Sequence, residues 1–159
     1  MENNKTAFAD AFVQRQEFVN KYPLNMSGAE YVDALLLTVR TVYGVDRTSQ
    51  RGVLLDGYNQ CLQSGTQTHC RALTLRQLSD DSVFVQVVYN PAFVLMQYFG
   101  YLRREADQSG YDFWLNVLNS REPNNYRGMV CSFLTSVEYQ LRFSSVVSHT
   151  NAECAPGAL

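Results

Sequence analysis

Apolar residues in the first part of the chain recur at three- and four-residue spacing. Phe8, Ala11, Phe12, Phe18, Val19 and Tyr22 fall on one helical side, with Arg15 inside the stripe and Pro23 ending the run. "SGAE" then predicts a capping box, in which Ser27 and Glu30 each serve the other residue's free backbone N–H. The helix that follows places Tyr31, Val32, Leu35, Leu36, Val39 and Val42 together and stops near Gly44. A third helix is expected from about Thr48 to Leu62, with Val53, Leu54, Tyr58, Cys61 and Leu62 on its apolar side. A fourth carries Leu75 and Leu78.

"DSVFVQVVYNPAFVLMQYFGYLRR" reads as a short helix, a break at Pro91 capped by Asn90, and a long helix. The β-branched run "VFVQVVY" also fits a strand, so residues 80–90 stand open between the two. In "EADQSGYDFWLNVLNS" Asp107 sits where the next helix starts, and its carboxylate can accept from the backbone N–H of Ser109 or Gly110. Tyr111, Trp114, Leu115 and Leu118 follow at helical spacing, which turns the tryptophan toward the core. A calcium loop built on Asp107 and Asp112 would need further oxygen ligands at fixed spacing, and the segment lacks them.

Two stretches align without a gap: "FVQRQEFVNKY" from Phe12 to Tyr22 and "FLTSVEYQLRF" from Phe133 to Phe143. Glu17 matches Glu138 and Lys21 matches Arg142, beyond what a shared amphipathic pattern requires, so a repeated unit is expected. A weaker third copy ends near Val83 and Phe84. The pattern predicts an all-α fold, a compact bundle of about six to eight helices built from degenerate repeats. One domain is expected over residues 1–147: 1–24 as the end of a preceding unit, 27–90 as a degenerate unit and 91–147 as the clearest one. A polar tail covers 148–159, preceded by Val146 and Val147.

Composition narrows the functions. Hydrophobic residues make up 46% of the 159 and charged residues 18%, enough for a substantial core. The net charge of −2 comes without a run of like charges, which argues against nucleic acid and against a polybasic membrane patch. The most apolar stretch reads as too short and too interrupted to span a bilayer, so no membrane insertion is expected. "MENNKTAFADAF" lacks the apolar core of a signal peptide. The four cysteines, Cys61, Cys70, Cys131 and Cys154, have no C-x-x-C spacing, which weakens a zinc or redox site. They are compatible with two disulfides or with four reduced thiols. His69 lies next to Cys70, where adjacent side chains point apart, and His149 lies in the polar tail, so neither builds a nucleophile–base pair by itself. No catalytic, cofactor or metal residue is assigned.

The segment from Tyr98 to Tyr139 resembles the bacterial domain-of-unknown-function family numbered 4214. The matching positions are Tyr98 or Tyr101, Leu102, Arg104, Asp107, Gly110, Trp114, Leu118, Phe133, Ser136, Glu138 and Tyr139. The resemblance covers roughly residues 93–143 and implies a helical module of large exported or surface proteins, without assigned catalytic residues. Of these positions, Asp107, Gly110, Trp114, Phe133, Glu138 and Tyr139 are expected to carry the structure. Export would favour disulfides pairing Cys61 with Cys70 and Cys131 with Cys154, although the apolar neighbours of Cys131 also suit a buried thiol. The expected function is a non-catalytic scaffold or protein-interaction module, a fragment of a larger exported protein at the cell surface. The alternative is a glycan-binding module using Tyr126 or Tyr43 as an aromatic platform, so the expected partner is a protein or a cell-surface glycan.

Overall fold

Caps and turns divide the chain into helices at the places where backbone N–H groups would otherwise go unpaired. The computed structural model describes residues 2–143 together with Ser145 and Cys154. His149, Val146, Val147 and the rest of the polar tail lie outside the described residues. The helices are α1 (Glu2–Phe12), α2 (Gln16–Lys21), α3 (Gly28–Tyr43), α4 (Arg51–Cys61), α5 (Gln67–Ser79), α6 (Ser82–Gln97), α7 (Gln108–Asn116), α8 (Tyr126–Leu134) and α9 (Val137–Phe143). The fold is all-α, with no strand among the described residues.

Local signals account for most boundaries. The capping box of α3 is formed: the Ser27 backbone donates to the Glu30 carboxylate at 2.7 Å and the Glu30 backbone to Ser27 Oγ at 3.3 Å. Gly44, at φ 70°, ends α3 in the left-handed region open to glycine. Residues 82–90 are helical, because Asp81 accepts from the backbone of Val83 and Phe84 and so starts α6. The break expected at Pro91 does not occur. Proline removes one backbone donor, and α6 runs through it and continues as a π-helical turn, Tyr98–Leu102. The resulting 21-residue stretch, Ser82–Leu102, is long and apolar enough to cross a bilayer by length and composition, which corrects the expectation of an interrupted segment. Its Val94, Tyr98 and Leu102 are buried within the protein.

The single domain expected over 1–147 divides into two compact units, Met1–Val88 and Tyr89–Leu159, with the boundary inside α6. Residues 1–24 belong to the first unit. There Val13, Phe18 and Tyr22 join Tyr31, Leu54 and Tyr58 in one core, with Phe18 and Tyr22 ring to ring at 4.7 Å. The helix expected over Phe8–Tyr22 breaks at Arg15, which is extended, and this break lets Val13 and Phe18 both point inward. The second unit has its own core of Val94, Tyr98, Leu102, Leu118, Met129, Phe133 and Tyr139.

Disulfides join Cys61 to Cys70 and Cys131 to Cys154, with Cα separations of 5.5 Å in both. The first ties the end of α4 to α5 inside the first unit. Intact mass without reductant should therefore fall about four hydrogens below the reduced mass. Reduction should lower stability by about 2 to 4 kcal/mol per bridge in the loop-entropy account. Four titratable thiols in native protein from an oxidising compartment would contradict the pairing.

Candidate functional site

Arg104 owes its position to the chain reversal after α6. The π-helical turn ends at Arg103, a non-glycine residue at φ 49°, and the Arg104 backbone N–H returns to the Tyr98 carbonyl. The Arg104 side chain then forks onto one carboxylate: Nε donates to Glu138 Oε1 at 2.7 Å and Nη2 to Oε2 at 2.9 Å. Its Nη1 donates to the Glu105 carbonyl at 2.9 Å and lies 3.5 Å from Asp107 Oδ2. The guanidinium sits over the Tyr98 ring at 5.1 Å.

The surrounding residues are fixed by their own helix ends. Asp107 caps α7, accepting from the Gly110 backbone at 2.8 Å and the Ser109 hydroxyl at 2.7 Å. Gly110 is required by close approach, since a Cβ there would run into the Tyr98 hydroxyl. Ser136 caps α9 by accepting from the Tyr139 backbone at 3.1 Å, which holds Glu138 in place. Phe133 meets Tyr98 edge-on at 5.0 Å and Trp114 at 5.7 Å, while Tyr139 meets Tyr101 at 6.1 Å. All six residues assigned a structural role, Asp107, Gly110, Trp114, Phe133, Glu138 and Tyr139, thus lie in one unit around Arg104 and Tyr98. Trp114 packs against the core, as its spacing predicts, and is partly buried where it also lines a surface cleft.

The electrostatics follow from these bonds. The Arg104 guanidinium holds the Glu138 carboxyl below its ordinary range and is itself held more firmly protonated. The hydroxyl of Ser109, then the backbone of Gly110, hold Asp107 low in the same way. Burial, with Asp107 adding to it, pushes the Tyr98 phenol up. A carboxylate whose folded pKa is depressed stabilises the fold above its unfolded pKa and loses that contribution as pH falls through the folded value. Urea midpoints of the second unit, read from Trp114 fluorescence, should be flat above about pH 5 and fall below it. Glu138→Gln should lower the plateau and shrink the acid fall. A variant that tracks the parent at every pH would sink this assignment.

A second pair of this kind lies in the first unit. Arg47 Nη2 donates to Asp81, the residue that starts α6, and the two are 34 residues apart, the same separation as Arg104 and Glu138. Asp81 is held low chiefly by the Phe84 backbone N–H. This pair went unread in the sequence; the recurring 34-residue spacing is the signal that marks it.

Elsewhere His69, Cys70, Tyr126 and Tyr43 are engaged. His69 Nδ1 lies 2.9 Å from Asp10 Oδ1, and its neighbour Cys70 is in a disulfide, so the thiol beside that imidazole is not a free nucleophile. Tyr126 donates its hydroxyl to Asn90 at 2.7 Å and packs its ring edge-on against Phe93 at 4.8 Å. Tyr43 is similarly edge-on to Phe84 at 5.1 Å. The cleft over the Arg104–Glu138 pair, lined by Trp114 and Phe133 among others, has a volume of 160 Å³. That falls below the roughly 300 to 1,000 Å³ of ordinary small-molecule sites.

Residues 76–143 match the model of a family described as a domain of unknown function, DUF4214. No curated protein and no solved structure matches the chain. The DUF4214 match begins upstream of the resemblance read from the sequence and takes in Asp81, the start of α6, as well as the whole Arg104–Glu138 arrangement.

Proposed function

We propose that the chain is a non-catalytic helical scaffold, a protein-interaction module of a larger exported protein. The observation that carries this reading is the use of Arg104, Glu138 and Asp107 to hold the fold. Arg104 is forked onto Glu138, Asp107 is spent on the N-terminus of α7, and the cleft above them is small. A site built for chemistry keeps at least one such group free to meet a substrate. The two disulfides support an oxidising compartment, and with it an extracellular or cell-surface home.

The full chain, presented to a glycan array and to insoluble cell-wall polysaccharide, is expected to show no saturable retention. Saturable binding lost in Tyr43→Ala or Tyr126→Ala protein would replace the scaffold with the glycan-binding reading, since those are the rings that reading assigns as its platform. Conversion of any glycan during the same incubation would overturn the non-catalytic reading.

A further inference from the structure

The aligned stretches have matching backbones. The Arg15 N–H donates to the Phe12 carbonyl at 3.1 Å, and the matched Ser136 N–H donates to the Phe133 carbonyl at 3.1 Å. Val19 to Arg15 and Gln140 to Ser136 are matched in the same way, at 2.9 and 3.0 Å. The ring pairs also correspond: Phe18 with Tyr22 at 4.7 Å, and Tyr139 with Phe143 at 5.0 Å. Helices α1 and α2 are therefore built like α8 and α9.

Their surroundings differ. In the second unit Met129 and Phe133 on α8 are buried, and Glu138 takes the Arg104 fork. The matched residues of the first unit are Phe8, Phe12 and Glu17. Phe8 is 63% exposed and stacked on Phe12 at 5.8 Å, and Glu17 has no partner among the described residues. Two open grooves meet at Phe12, of 530 and 400 Å³, where the second unit has a 160 Å³ cleft. What narrows the cleft of the second unit is the segment carrying Tyr98, Leu102, Arg104 and Trp114. The first unit already uses its own arginine of this type, Arg47, on Asp81.

We infer that the α1–α2 face is a docking surface for the corresponding segment of another DUF4214 unit. The occupant is a helix and turn presenting tyrosine, leucine, arginine and tryptophan in the order of Tyr98, Leu102, Arg104 and Trp114. Its arginine forks onto Glu17, and its aromatic residues cover Phe8 and Phe12. The open carboxylate corresponds to one that takes arginine in the second unit, and the incoming arginine has to displace Arg15, which lies over the Phe12 ring at 5.6 Å where the second unit has Ser136. Covering two adjacent phenylalanines removes apolar surface from water. Units joined this way interact as nearest neighbours, the arrangement of repeat arrays. The inference rests on the scaffold reading and names its partner.

The test extends the full chain by a second copy of residues 82–121 placed directly ahead of Met1. That join sets the copied arginine 34 residues before Glu17, the separation of the two existing pairs. The extended chain should melt at least about 4 °C higher than the original, and the copied segment should gain protection from hydrogen exchange. Glu17→Gln should lower the melting temperature of the extended chain and leave that of the original unchanged. An extended chain that melts no higher, a copied segment that exchanges freely, or a gain indifferent to Glu17→Gln would each overturn the docking surface. The glycan array is independent of this outcome: a blank array with no gain from the extension removes the named partner alone, whereas glycan retention removes the scaffold reading itself.

Discussion

Arg71→Ala should destabilise the first unit by about 3 to 5 kcal/mol, combining stranded carbonyls with a cavity in the core. Arg71 lies on α5 with no exposed surface. Its Nη1 donates to the Pro23 carbonyl at 3.2 Å and its Nη2 to the Tyr22 carbonyl, at the point where α2 ends and the chain turns toward α3. The guanidinium covers the Tyr31 ring at 4.0 Å, and the Tyr31 hydroxyl donates to the Arg71 carbonyl at 3.0 Å. One side chain therefore satisfies the end of one helix and packs against the centre of the next. An opposing term exists, because no carboxylate among the described residues pairs with Arg71 and its Nε lacks a partner. Burying that charge is itself costly. Arg71→Met separates the two effects: it keeps most of the volume, removes the charge and leaves the carbonyls unpaired. We expect a smaller loss, about 1 to 3 kcal/mol, in urea unfolding followed by circular dichroism. A stabilised Arg71→Met protein would show that the buried charge costs more than its hydrogen bonds return.

The same residue shows where reading the sequence stops. Periodicity counts apolar side chains, so α5 is marked by Leu75 and Leu78, which do meet the core, while Cys70, Arg71, Ala72 and Thr74, buried beside them, go unmarked. A cation facing two carbonyls and an aromatic face looks like a surface position until the chain is folded around it. Signals confined to a few neighbouring residues were legible: the Ser27–Glu30 capping box, the Asp107 cap and the stop at Gly44 all depend on local backbone geometry. Pro91 misled because a proline costs a helix one hydrogen bond, and packing of Val94, Tyr98 and Leu102 favours continuity. The six structural residues of the second unit were legible through their pattern, but Arg47–Asp81 was not. An ion pair closing over 34 residues leaves no trace in the helical period, and its mark is the separation it shares with Arg104–Glu138. Phe8 fell on the predicted apolar stripe and is exposed, consistent with a face shaped for a partner.

In the second unit Phe133→Ala should be the costliest aromatic truncation, at about 3 to 5 kcal/mol, and it should exceed Trp114→Ala even though the indole is larger. Phe133 is 4% exposed and sits between Tyr98 and Trp114, so its removal leaves a void walled by two rings and Met129. Trp114 is half-buried on the edge of the cleft, and the surface it already exposes to water contributes nothing on folding. Its truncation should cost roughly half as much, about 1.5 to 3 kcal/mol. The neighbours of the two residues sharpen the difference. Phe133 packs on the Tyr98 ring, which also lies beneath the Arg104 guanidinium, so losing it loosens the platform under the Arg104–Glu138 pair. The Trp114 ring pairs with Phe133, and among the described residues it makes no ring pair with Tyr98. Phe133→Ala should consequently weaken the pH dependence assigned to Glu138 as well as lower the urea midpoint, whereas Trp114→Ala should leave the pH dependence in place. Unfolding of both variants followed at 222 nm between pH 4 and pH 7 makes the comparison without relying on indole fluorescence. A Trp114→Ala protein less stable than the Phe133→Ala protein would place the tryptophan, and not the phenylalanine, at the centre of this core.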